Sequence, residues 1–133
     1  MPPSYTLYSP PGAFRAFAPL IAAEYNGIHV TVETNDVEVV IKENSPTGKA
    51  PLLLVSSEST PSPPNNGGAV IVSSHSIARY LAGLRRDTGL RGNSIQERMA
   101  VDDWMDWTAQ DVELPACVLF YSAAGYIPAN VKA

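Results

Sequence analysis

Cysteine and histidine are nearly absent from this chain: one Cys, at 117, and two His, at 29 and 75, among 133 residues. A single thiol can form neither an internal disulfide nor a Cys-based zinc cluster. Two imidazoles with that thiol are too few for a self-contained metal site, so no metal is expected. Positive charge is also thin, with nine Lys and Arg against thirteen Asp and Glu, a net of −4. Phosphate backbones are bound through clustered cations, so direct contact with nucleic acid is not expected. The nearest cluster, Arg85, Arg86 and Arg91, is surrounded in sequence by Asp87, Asp102 and Asp103 and reads as a solvated helix end. Long apolar runs are missing too. None approaches the roughly 20 residues of a membrane span. Arg15, Pro19 and Glu24 interrupt the one stretch that could pass for a leader, so a cytoplasmic protein without a membrane partner is expected.

What is present fits a globular chain: 45% hydrophobic and 17% charged residues, enough to bury a real core. Tyr5 to Ser9 reads as a short strand, broken by Pro10-Pro11-Gly12. Phe14, Phe17, Ala18, Ile21 and Tyr25 then recur at helical spacing, which predicts a helix over 13–25 with those residues on its apolar face. Asn26-Gly27 closes it. Pro19 conflicts with that pattern and predicts a kink or a later start. Ile28 to Thr34 alternates like a half-buried strand, completing a β-α-β unit with parallel strands. Val37 to Lys42 is β-branched and fits either an extended segment or a weak second helix.

Leu52 to Val55 and Ala69 to Val72 read as two buried strands, paired antiparallel across a Ser, Pro, Asn and Gly loop from Ser56 to Gly68 that is mobile by composition. Ser74 is expected to cap a helix through Leu84, with Ile77, Tyr80, Leu81 and Leu84 on one face and His75 exposed beside the cap. Ser94 and Glu97 fit a capping box ahead of a long helix running to about Glu113, which Pro115 ends or bends. A Pro at 51, at the mouth of a strand, cannot donate to a sheet ladder. That proline, two short strands and a serine-capped helix resemble the second half of a thioredoxin-like domain, which implies that the proline is cis.

The order of elements resembles the glutathione transferase superfamily: a thioredoxin-like β-α-β-β-β-α N-terminal half over 1–86, then a truncated all-helical C-terminal half over 93–133. One branch is resembled in particular, the transferase-like domain of the gamma subunit of eukaryotic translation elongation factor one. Thr6-Leu7-Tyr8-Ser9, Phe14-Arg15-Ala16-Phe17 and Leu20 to Tyr25 match its opening. Gly48-Lys49-Ala50-Pro51 matches its pre-strand motif, and Trp104 to Trp107 with Asp111 to Ala116 its first long helix. The helical half is short for the superfamily. Val118-Leu119-Phe120-Tyr121 are therefore expected to lack internal partners and to favour a dimer or hetero-oligomer.

The resemblance implies where chemistry would sit. A thiol activator would stand just after the first strand, where Ser9 and Tyr8 are the candidates. The theta-like serine position falls near Pro11 or Gly12, which have no hydroxyl. Ligand contacts would come from Lys49, Ala50 and Pro51 and from the acidic–Ser pair opening the third helix. Here that pair is Ser73 and Ser74, so the carboxylate is missing. Interface candidates are Tyr80, Leu84, Trp104 and Trp107, and Cys117 is expected to be buried and inert. No cofactor is expected to be required, with glutathione at most a weak ligand. The implied function is a non-catalytic scaffold assembling elongation factor subunits. The alternatives are a glutathione- or related-thiol-dependent transferase, and an assembly domain of an aminoacyl-tRNA synthetase complex.

Overall fold

The computed structural model describes residues 2–56 and 68–128. The chain divides into two compact units, Met1–Arg91 and Gly92–Ala133. The first holds β1 (Ser4–Tyr8), a 3-10 turn (Phe14–Ala16), α1 (Phe17–Tyr25), β2 (Thr31–Glu33), α2 (Val37–Asn44), β3 (Leu52–Ser56), β4 (Ala69–Val72) and α3 (Ser74–Gly83). The ambiguous β-branched stretch is thus a helix, α2. The loop expected over 56–68 lies, for residues 57–67, outside the described residues, as do 129–133 of the expected C-terminal loop.

The sheet runs in the order β2-β1-β3-β4. β1 and β2 are parallel, while β1–β3 and β3–β4 are antiparallel. Both faces are covered, which is why Leu52-Leu53-Leu54 is a continuous buried run and not an alternating one. Leu7 and Leu53 face α1 and α3, in one cluster with Ala22, Ala23, Ile77 and Leu81. Leu52 faces the other way, with Val37 and Ile41 of α2, and Tyr8 packs at the edge of that second cluster.

Helix α1 departs from the sequence pattern in two ways. Its regular turns begin at Phe17, so Pro19 sits in the first turn, where amides have no intrahelical acceptor and its missing N–H costs nothing. Its buried face is the small one. Pro19, Ala22 and Ala23 are buried, whereas Phe14, Phe17, Ile21 and Tyr25 are about half or more exposed. The physical reason is α3 alongside: two helices approach closely where alanines meet, and Ala78 and Ala82 are buried on the facing element.

The C-terminal ends of α1 and α3 share one polar tie. Asn26, 1% exposed, donates through Nδ2 to the carbonyls of Leu81 (2.8 Å) and Ala82 (3.1 Å). Its Oδ1 accepts from Thr88 Oγ1 at 2.6 Å, and its carbonyl accepts from Arg85 Nη1 at 3.2 Å. Arg85 also pairs with Asp87 at the surface, and the hydrogen bond from Arg85 holds that carboxyl below its ordinary range. The pair's contribution is present above the usual carboxylate pKa and fades as pH falls through the lowered value. Being fully exposed, it is small.

The second unit holds α4 (Ile95–Trp107), a π-helical segment (Thr108–Glu113) and α5 (Leu114–Ala123). The capping box is formed: Glu97 N–H donates to Ser94 Oγ at 3.1 Å, and Ser94 N–H to Glu97 Oε2 at 3.3 Å. Pro115 does not end the helix. It occupies the first turn of α5, directly after the widened π turn, whose carbonyls are those a proline at this point would otherwise crowd. Ser94→Ala is expected to cost about 1 kcal/mol. Denaturant unfolding followed by tryptophan fluorescence would read it, since both tryptophans lie in α4; an unmoved midpoint would refute the cap's role.

Candidate functional site

The strand register places the sequence-predicted residues. Tyr8 is opposite Leu52 and Leu52 is opposite Val72, so the next residue out along each strand, Ser9, Pro51 and Ser73, emerges at the same end of the sheet. The Ala50–Pro51 peptide bond there is cis, and Pro51 is fully buried. Lys49 beside it is exposed.

Of the two candidate activators, Ser9 has its hydroxyl proton engaged. Ser9 is 1% exposed, and its Oγ donates to the Pro10 carbonyl at 3.3 Å. Tyr8 is half-buried against the Val37–Ile41–Leu52 cluster.

The opening of α3 differs from expectation by one residue. The N-cap is Ser73, not Ser74; its backbone is at φ 77° and ψ 130°, and its side chain makes no capping hydrogen bond. A non-glycine residue at positive φ is strained, and such strain concentrates at binding and switching sites. Ser74 is the first helical residue. Its buried Oγ donates to the Arg15 carbonyl at 2.6 Å, fastening the 3-10 turn to α3. A hydroxyl has one proton to give, so toward an incoming carboxylate Ser74 offers only lone pairs. The backbone amides of the first turn of α3 have no side-chain cap, and they carry the partial positive charge of a helix start. His75 is half-buried, not exposed: it lies within that first turn, not outside it.

Among the interface candidates, Tyr80 packs on the first core cluster and stands edge-to-face to Tyr5 (6.4 Å, 61°). Burial, then the neighbouring Tyr80 hydroxyl, pushes the Tyr5 phenol upward. Leu84, just past the end of α3, is 38% exposed. Trp104 and Trp107 are exposed and in mutual edge-to-face contact at 5.5 Å. Cys117 is buried, while Val118, Leu119, Phe120 and Tyr121 are all exposed.

Sequence reasoning missed two features. One is Arg15, which acts through a backbone carbonyl that no side-chain motif reveals. The other is a cleft of about 370 Å³ lined by Leu20, Ala23, Glu24, Gly27, Ile28, His29 and Val30. None of the residues read from sequence as site residues lines it. No group of three or more His, Cys, Asp or Glu suited to a metal occurs among the described residues, and no described helix is long and apolar enough to cross a membrane.

A cis proline leading β3, a serine pair opening α3 and a helical unit following in the chain define a glutathione-transferase fold. A nematode-specific glutathione transferase from C. elegans superposes with a TM-score of 0.71 at 24% identity, over 98% of this chain and 57% of that one. No family model matches the chain. By sequence the chain is similar to elongation factor 1-gamma of several organisms. It is 33% identical over 124 residues to elongation factor 1-gamma 3 of Oryza sativa subsp. japonica, and 31% identical over 134 residues to elongation factor 1-gamma of Artemia salina. Those matches take in 88% and 96% of this chain, which spans 27% and 28% of the relatives' own lengths.

Proposed function

We propose that this chain is the transferase-like part of an elongation factor 1-gamma subunit, working in the cytoplasm as an assembly module of the translation elongation factor 1 complex and not as a transferase. The observation that carries this reading is the similarity to elongation factor 1-gamma along most of the chain. Support for an absence of catalysis comes from the site. The Ser74 proton is committed to the Arg15 carbonyl, Ser73 stands where an acidic partner would meet a ligand's ammonium group, and the Ser9 proton goes to the Pro10 carbonyl. A ligand such as glutathione would keep the Ala50–Pro51 backbone, Lys49 and the α3 amides, a set fit for weak binding at most.

Two measurements test it. Immobilised full-length chain is expected to retain purified elongation factor 1 subunits and not aminoacyl-tRNA synthetases; the reverse result would move the chain to a synthetase complex. Calorimetric titration with glutathione to millimolar concentration is expected to give a flat trace. Saturable heat that disappears in Ser74→Ala, with conjugation of an electrophile lost in Ser9→Ala or Tyr8→Phe, would restore the enzyme reading.

A further inference from the structure

We propose that the face of α4 carrying Trp104 and Trp107 docks a basic amphipathic helix of a protein partner, with the two indoles as its anchors; this rests on the assembly reading above. Not one residue of α4 is buried. Trp104 and Trp107 are 68% and 50% exposed, in contact with each other, and three residues apart on one side of the helix. Ala100, one turn before Trp104 on the same side of the helix, is exposed as well. Exposed tryptophan pairs are the material of interface hot spots.

Charge selects the occupant. Asp103 and Asp111, both exposed, stand one turn before and one turn after Trp107. Between Ser94 and Leu114 there are six acids and one base, whereas the rest of the chain has seven acids and eight bases. The chain's negative charge is therefore gathered on this segment. A second copy meeting the face symmetrically would set the same carboxylates against each other, and a polyanion would be repelled outright. A helix with an apolar stripe flanked by Lys and Arg satisfies both demands. Its side chains repeat at the same spacing as the indoles, and guanidinium groups can lie on the indole faces.

The test uses the full chain and a synthetic helical peptide with a leucine stripe flanked by Lys and Arg, beside a twin with Glu in their place. The chain has only two tryptophans, so their emission reports the face directly. The basic peptide is expected to bind saturably with a blue shift, and more weakly as salt rises. Trp107→Ala is expected to weaken it at least tenfold. Asp103→Asn with Asp111→Asn, which removes no packing, is expected to weaken it about tenfold and to flatten the salt dependence. Equal binding of the acidic twin, or unchanged affinity in both variants with an unaltered circular dichroism spectrum, overturns the proposal; so does self-association that Trp107→Ala abolishes. The assembly reading fails separately, if the unaltered chain captures no elongation factor 1 subunit. Capture undiminished in the double aspartate variant leaves that reading standing and overturns this one.

Discussion

Asn26→Ala is expected to destabilise the first unit by about 2–4 kcal/mol. One side chain there serves three partners, the carbonyls of Leu81 and Ala82 and the hydroxyl of Thr88. The two carbonyls belong to the last turn of α3, where intrahelical donors run out, and that of Leu81 has besides only a 3.4 Å bond from the Leu84 N–H. Each hydrogen bond contributes about 0.5–1.5 kcal/mol net, and a buried partner left unsatisfied costs about 1–3 kcal/mol more. Thr88→Val removes the Oδ1 contact and the longer 3.3 Å bond to the Arg85 carbonyl, and is expected to cost about 1 kcal/mol. Because the two side chains share a bond, the double variant is expected to lose less than the two single losses combined. Urea unfolding followed by circular dichroism measures all three. A loss below about 1 kcal/mol for Asn26→Ala would mean that water replaces the amide, and that the tie between α1 and α3 lies elsewhere.

Ala23→Leu is expected to cost about 1–3 kcal/mol or more, while Ile21→Gln, two residues away, is expected to stay within about 0.5 kcal/mol. Ala23 is 2% exposed, belongs to the cluster with Ile77 and Leu81 and borders the cleft toward Ile28, so three added carbons either part the helices or leave their preferred rotamer to enter that cleft. Ile21 is 66% exposed. The usual ranking of large apolar over small is inverted on this helix. Thermal unfolding of the two variants decides it: a destabilised Ile21→Gln beside a tolerated Ala23→Leu would place the large residues in the core after all.

That inversion marks where the sequence could be read and where it could not. Strands β1, β3 and β4 were legible because Tyr5, Leu52 to Val55 and Ala69 to Val72 are β-branched, aromatic or continuously apolar between turn residues. The later start of α1 was legible from Pro19. Its buried face was not, because both sides of α1 are apolar, and periodicity cannot choose between a stripe of alanines and a stripe of aromatics. The choice is made by α3, more than fifty residues further on. Helix α2 was ambiguous for the opposite reason: Val37, Val39, Val40 and Ile41 favour extended chain locally, and burial of Val37 and Ile41 against Leu52 overrides that preference.

At the candidate site, the proline and the serine pair were legible as types in order. Which serine opens α3 was not. Capping preference names the residue type and not the position, and Ser73 at positive φ is a choice that local propensity disfavours. The acceptor for Ser74 is a main-chain oxygen 59 positions away, and sequence carries no mark of it.

The π segment ahead of Pro115 has a consequence for how this chain can change. A π turn holds about one residue more than an α turn, so everything from Leu114 onward is advanced by about 100° relative to the phase of α4. Deleting any one residue between 108 and 113 would restore the phase. It would also bring the Pro115 ring onto the carbonyl four positions earlier, a clash of about 3 kcal/mol. The same deletion made together with Pro115→Ala would meet no such obstacle. The surplus residue and the proline are thus a linked pair of characters: related chains should carry both or neither, and those with neither should turn a different side of α5 outward.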